Sequence, residues 1–303
     1  MKSDNRGSYV IFILSMLIYG TIGIFRKFIP LSSGLLVFAR GLIGGVFLLA
    51  LMLIKGRGVL KFGIEKRKAL VLMLTGFAIG INWILLFEAY RFTSVSVATL
   101  CYYMQPTLLI LCSPFVFGER ITPQKGVCAA ASVIGMVFIS GVIGADHPLG
   151  KNDAVGIALG LGAALFYTMV IILNKKTPVD NVYGKTTVEL FSAAFILLPY
   201  LLLTDGFSGV SLDATSVVMI LVVGILHTGM AYAMYFGSMG KLSSQTVAVL
   251  SYIDPILALI LSFAVLGETM SPIQVIGAVM IIGAAILSEI TLPQRTWKKA
   301  RKE

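Results

Sequence analysis

The stretch from Gly80 to Pro123 occurs twice, and no other feature restricts the folds open to this chain as much. Displaced by 149 residues and laid without a gap on Gly229 to Pro272, it is identical at 11 of 44 positions. These are Gly80/Gly229, Phe87/Phe236, Ser94/Ser243, Tyr103/Tyr252, Pro106/Pro255, Leu108/Leu257, Ser113/Ser262, Val116/Val265, Gly118/Gly267, Glu119/Glu268 and Pro123/Pro272. Shared apolar composition does not align a mid-segment proline, a Gly-Glu pair and a helix-starting proline together. The chain is a duplicated unit.

Both copies belong in a lipid bilayer. Apolar runs of roughly 20 residues, the length that crosses a hydrocarbon core, occupy Tyr9 to Phe28, Gly34 to Ile54, Ala69 to Tyr90, Ser94 to Phe117 and Pro123 to Val142. After a join at Gly141 to Asp153 they resume at Asp153 to Leu173, Thr186 to Leu203, Thr215 to Ser238, Ser243 to Leu266 and Pro272 to Ile290. With 57% hydrophobic residues, 13% charged residues and a mean hydropathy of +0.94, the chain carries more apolar surface than a soluble core uses. The first run is long enough to span and is followed at once by another, so it reads as a span and not as a cleavable signal. Cys101, Cys112 and Cys128 all lie in apolar runs without CxxC spacing, and read as buried thiols with no disulfide or metal role.

Orientation follows from the Lys and Arg residues. The connection from Lys55 to Lys68 is strongly basic, which places it in the cytoplasm. With ten spans both termini are then cytoplasmic, and every Lys or Arg falls inside except Arg26, Lys27, Arg91, Lys151 and the intraspan Arg40. The formal charge of +10 therefore reflects membrane orientation; no basic groove with interleaved aromatics points to nucleic acid. Five spans per half is an odd number, so the second copy enters from the opposite side. The expected fold is an all-α membrane protein of two inverted five-helix repeats, 9–142 and 153–290, with a basic cytoplasmic tail at 291–303, placed in the plasma membrane as a multi-pass protein.

Each copy carries the same punctuation. The fourth run ends in Gly118-Glu119, followed by Thr122 as N-cap and Pro123 at the first helical position; Gly267-Glu268, Ser271 and Pro272 repeat this. Together with the segment Phe87-Glu-Ala-Tyr-Arg-Phe-Thr-Ser94, this resembles the EamA-type domain of the drug/metabolite transporter superfamily, present twice from Tyr9 to Glu289. The resemblance implies a carrier for small organic solutes such as amino acids, other metabolites or drugs, often directed outward. For Glu119 and Glu268 the helix-end position favours a turn-shaping role at the membrane edge over binding.

Charges inside spans are costly and face a cavity or each other, which singles out Arg40, Glu88, Glu189 and Asp254, with His227 as a titratable neutral group. At 1.5 Å per residue, Asp254 and His227 lie near the bilayer midplane. Asp254 precedes Pro255 as Gln105 precedes Pro106, so both halves set a hydrogen-bonding side chain beside a helix irregularity at one depth. The plain alternative is a kink capped by a polar residue. Asn82, Trp83, Tyr102, Tyr103, Tyr232 and Tyr252 add a polar and aromatic lining suited to an organic solute, although such residues also serve interfaces and helix contacts. The expected solute site is Asn82, Trp83, Tyr102, Tyr103, Gln105, His227, Tyr232, Tyr252 and Asp254. Arg40, Glu88, Glu189 and Asp254 are expected to serve coupling or gating, with an Arg40 to Glu88 pair within reach. Glycines four apart, Gly41/Gly45, Gly76/Gly80 and Gly156/Gly160, mark close helix approach.

Other classes fit less well. With His147 and His227 as the histidines, there is no HExxH motif, paired-His site or Ser-His-Asp set, so an enzyme is not expected, nor a cofactor or metal. No GxxxxGK[ST] segment is present, so ATP is not the direct energy source. An uncoupled facilitator or channel remains the alternative to a proton-coupled carrier, without a filter-like loop to recommend it. The partners implied are a small-molecule solute and the lipid bilayer.

Overall fold

The computed structural model describes residues 5–55, 65–118, 121–139, 151–177, 179, 181–204, 213–239, 242 and 250–289. Among these residues every regular element is helical. The first repeat comprises α1 (Asn5–Gly20), α2 (Ile22–Phe28), α3 (Ser33–Lys55), α4 (Lys66–Phe92), α5 (Val95–Tyr102), α6 (Gln105–Phe117) and α7 (Pro123–Ile139). The second comprises α8 (Lys151–Lys176), α9 (Val182–Thr204), α10 (Ala214–Leu221), a π-helical stretch Val222–Met230, α11 (Ala231–Met239), α12 (Ile253–Leu266) and α13 (Pro272–Glu289). Among the described residues, seven helical segments are long and apolar enough to cross a membrane, and Pro123–Ile139, Ile253–Leu266 and Pro272–Ser288 are shorter apolar helices. Large apolar side chains point outward, with Phe115 at 90%, Leu203 at 86% and Ile54 at 82% exposure, a surface that suits lipid and not water.

The 149-residue displacement carries α3 onto α9 and α7 onto α13, and each of these helices packs against its own counterpart. Gly41 of α3 meets Leu190 and Ala194, Gly45 meets Phe191, and Thr187 Oγ1 lies 3.8 Å from Met52 Sδ. Numbers rise on one helix as they fall on the other, so the pair is antiparallel. The same holds for α7 and α13, where Gln124 Nε2 donates to the Leu287 carbonyl at 2.6 Å and Gln274 Nε2 to the Ile139 carbonyl at 3.3 Å. A helix that packs antiparallel on its own repeat counterpart requires a pseudo-two-fold axis across the helix direction. The two halves therefore run in opposite senses.

Local chemistry sets the helix limits. Gly118 and Gly267 take the left-handed conformation, φ 68° and 65°, that ends α6 and α12 and that a side chain would strain. Ser94 Oγ accepts the Val97 N–H at 3.1 Å, and Thr122 Oγ1 accepts that of Lys125 at 3.3 Å. Ser271 and Gln274 bond reciprocally as a capping box ahead of α13.

Two local features go beyond the sequence reading. The prolines do not sit in mid-helix: the fourth run breaks at Tyr103–Met104, so Pro106 and Pro255 fall in the first turns of α6 and α12, where a missing N–H leaves no broken bond. The eighth run is not a uniform α-helix, because Val222–Met230 is π-helical. Thr228 Oγ1 donates there to the carbonyl of Val223, five residues back, at 3.0 Å. The basic connection at 56–64, the join at 140–150 with His147, Glu119, and the tail at 291–303 lie outside the described residues.

Candidate functional site

A cavity of about 440 Å³ lies between the halves. Its wall takes Met16, Tyr19, Ile22, Arg40, Asn82, Trp83, Leu86, Phe87, Tyr102, Tyr103, Gln105, Pro106 and Leu109 from the first repeat. From the second come Tyr167, Ile171, His227, Tyr232, Tyr235, Leu242, Ser251, Tyr252 and Asp254. Ile22/Ile171, Trp83/Tyr232, Leu86/Tyr235, Tyr102/Ser251, Tyr103/Tyr252 and Gln105/Asp254 are repeat equivalents, so the cavity sits on the pseudo-two-fold axis.

All nine residues read from the sequence as the solute site line this one cavity. The helix breaks explain how α5–α6 and the segment leading into α12 present theirs. Tyr103 lies at the break itself, and its hydroxyl donates to an Asp254 carboxylate oxygen, joining the two repeats through their equivalent segments. Gln105 follows the break, its main-chain carbonyl 3.4 Å from Thr168 Oγ1, which donates to the Ala164 carbonyl at 2.8 Å. Aromatic rings close the wall, with Tyr102 5.5 Å from both Tyr103 and Tyr167, and Tyr103 6.4 Å from Tyr252. Tyr232 meets Tyr19 edge-on at 5.8 Å.

Asn82 and His227 are held more tightly. Asn82, 1% exposed, donates from Nδ2 to the Ala163 carbonyl at 2.6 Å and so pins α4 to α8. Thr21 Oγ1 donates to the Ile18 carbonyl at 2.7 Å and is hydrogen-bonded to His227 Nε2 at 2.7 Å. Phe25 packs edge-on against the His227 ring at 4.7 Å.

The four charges expected to couple or gate separate in space. Arg40 and Asp254 reach the cavity; Glu88 and Glu189 do not line it. The Arg40 to Glu88 pair does not form, because Glu88 binds Arg91 one helical turn away at 2.9 Å. The Arg40 guanidinium lies instead over the Trp83 ring, 3.9 Å from its centroid, and its Nε donates to Thr228 Oγ1 at 3.0 Å. The π-helical register presents that hydroxyl, which accepts from Arg40 while donating to Val223. Glu189 is 3% exposed on α9, with Oε1 unbonded among the described residues.

Tyr19, Tyr167 and Tyr235 also line the cavity and were not singled out by the sequence, since nothing in their spacing separates them from ordinary helix-contact tyrosines. Glu268 is structural, but in a way its turn position does not reveal. Its Oε1 accepts the Val95 N–H at 2.9 Å and its Oε2 accepts the Ser96 N–H at 3.2 Å, while Ser262 Oγ also donates to Oε2. The acid at the end of α12 thus caps the N-terminus of α5 in the other repeat.

The profile of the EamA-like transporter family matches this chain twice, at residues 6–141 and 154–289. An uncharacterized transporter, YxxF, of Bacillus subtilis is 29% identical over 289 residues, spanning 95% of this chain and 91% of that protein. The threonine/homoserine exporter RhtA of Escherichia coli K12 is 28% identical over 240 residues, 77% of this chain and 75% of RhtA. A probable amino-acid metabolite efflux pump of Salmonella typhimurium is 26% identical over 241 residues, 75% of this chain and 79% of the pump. A crystal structure at 18% identity superposes with a TM-score of 0.65 over 94% of this chain and 96% of its own, a likeness of fold. Two family matches that coincide with the two structural repeats make the chain a member of the EamA-like transporter family, within the drug/metabolite transporter superfamily.

Proposed function

We propose that this protein is a secondary-active exporter of small organic solutes, with ten spans, both termini in the cytoplasm, and the cavity between the repeats as its solute site. The observation that carries the reading is the cavity wall, which includes six pairs of equivalent positions on two antiparallel halves. Two similar halves of opposite sense can exchange conformations, and that exchange exposes a site on their common axis to one side and then the other. The names of the Escherichia coli and Salmonella relatives support amino acids and their metabolites as solutes, and the outward direction.

Asp254 is assigned the coupling role. Its carboxyl faces the cavity and bonds Tyr103 of the other repeat, so a change in its charge acts on the contact between halves. A carboxylate in a low-dielectric cavity is stabilised by taking a proton or by meeting a cationic group of the solute. Proton uptake in one facing state and release in the other would then drive solute the opposite way.

Proteoliposomes test this directly. The unmodified protein should show saturable counterflow of labelled solute and accumulation that responds to an imposed pH gradient. Asp254→Asn should abolish the response to the gradient and keep exchange. Transport by the unmodified protein that ignores the gradient would leave an uncoupled facilitator.

A further inference from the structure

Arg40 is a buried cation whose charge the described protein does not neutralise. It is 5% exposed and lines the cavity. Its Nε is satisfied by Thr228, and its flat face by Trp83 at 3.9 Å and Phe87 at 5.4 Å. Both terminal NH2 groups are left without a hydrogen bond to any described residue. The phenols of Tyr19, Tyr102 and Tyr232, which line the same cavity, carry no charge at neutral pH.

None of the acids with described side chains pairs with Arg40. Glu65 pairs with Lys68 and Glu88 with Arg91, Asp213 and Glu268 cap helices, and Asp153 accepts from Thr93. Glu189 does not reach the cavity wall, and Asp254 lines it without pairing with Arg40. A guanidinium held by its Nε and by an aromatic face, with its fork unfilled, is preorganised for a planar anion with two oxygens.

The repeat sharpens this. The cavity's shape is shared between the halves, but its charge is not: Gln105 stands where the second half has Asp254, and the counterpart of Arg40 is Glu189, outside the wall. Among the described residues, one cation and one acid therefore face the same small cavity, with the rings of Trp83, Tyr102 and Tyr103 lining it too.

We propose that Arg40 is the anion-binding residue of the cavity, and that the solute is a small zwitterion whose carboxylate fills the Arg40 fork while its ammonium faces Asp254. This rests on the cavity being the solute site. It assigns Arg40 to specificity, where charge inside a span suggested gating.

The test uses the purified full-length protein with L-threonine and L-phenylalanine, each beside its methyl ester, which lacks the carboxylate, and its N-acetyl derivative, which lacks the ammonium. Ligand-dependent shift in melting temperature and counterflow are read together. At least one free amino acid should bind and exchange, with both of its derivatives weaker by about tenfold or more. Arg40→Gln should lose that amino acid far more than it loses the ester, so that the preference for acid over ester collapses, which a merely misfolded variant would not show. Arg40→Lys, which keeps the charge but not the fork, should restore part of the preference for acid over ester. Asp254→Asn should narrow the preference for the free amino acid over its N-acetyl form.

An ester bound as well as its acid by the unmodified protein, or a preference for acid over ester that survives Arg40→Gln, would overturn the assignment. Saturable exchange confined to solutes without a carboxylate would overturn it too and leave the carrier reading standing. Absence of saturable exchange with any solute would remove both.

Discussion

Arg26 shows how far one side chain can depart from what its place in the sequence suggests. It stands at the end of the first apolar run, where a basic residue is expected to reach water, yet it is 6% exposed. Nη1 donates to the Ile29 carbonyl at 3.0 Å and Nη2 to Ser33 Oγ at 3.0 Å, so the guanidinium ties the end of α2 to the start of α3. A lysine cannot make both bonds in that geometry. Arg26→Lys should lower stability by about 1–2 kcal/mol, read as a lower melting temperature. Because Arg26 does not line the cavity, the apparent affinity for solute should not change. Loss of affinity with unchanged melting would place Arg26 in the transport site instead.

Among the helices, the crossing of α7 and α13 depends on two facing glycines. A Cβ on Gly277 would lie 2.6 Å from the Gly135 carbonyl oxygen, and one on Gly135 would lie 2.8 Å from that of Gly277. Both obstacles are backbone, which cannot turn aside as a side chain can. Gly277→Ala should therefore destabilise by about 1–3 kcal/mol through forced separation of the helices. Gly283→Ala on the same helix meets nothing within 4 Å and should be neutral or slightly stabilising. Equal melting temperatures for the two variants would mean that this crossing is not tight. A second prediction concerns the start of α5, which Glu268 caps from the other repeat. Glu268→Ala leaves the Val95 and Ser96 N–H groups short of their acceptor and should cost about 1–3 kcal/mol. Glu268→Gln, which keeps one acceptor oxygen, should cost less.

At the scale of the whole molecule, antiparallel packing of equivalent helices predicts that equivalent residues face opposite sides of the membrane. Glu65, before α4, and Ala214, at the start of α10, are repeat counterparts, and both are exposed. With Cys101, Cys112 and Cys128 replaced, Glu65→Cys should react with an impermeant thiol reagent from the cytoplasm and Ala214→Cys from outside. Ala214 leaves the Asp213 cap intact, where a carboxylate oxygen accepts the Ser216 N–H at 2.9 Å. Labelling of both cysteines from the same side would end the inverted arrangement in the membrane.

What the sequence determined by itself is what depends on neighbours along the chain and on contact with lipid. Apolar runs of the right length gave the helices, Gly118 and Gly267 ended two of them because glycine enters the left-handed region without strain, and Pro123 and Pro272 began two others. Residue counting at a fixed rise gave depth, and depth together with residue type and repeat equivalence collected the nine polar and aromatic residues that share the cavity. The direction each side chain takes around its helix is not a property of depth. Tyr19, Tyr167 and Tyr235 join the wall, Arg40 turns from Glu88 to Trp83, and Glu189 turns away from the wall its counterpart Arg40 lines. The π-helical register that presents Thr228 to Arg40 and the bond from Tyr103 to Asp254 link residues 188 and 151 positions apart. Only the tertiary structure decides such contacts, because they depend on which helix faces come together, and that is set by the mutual packing of both halves.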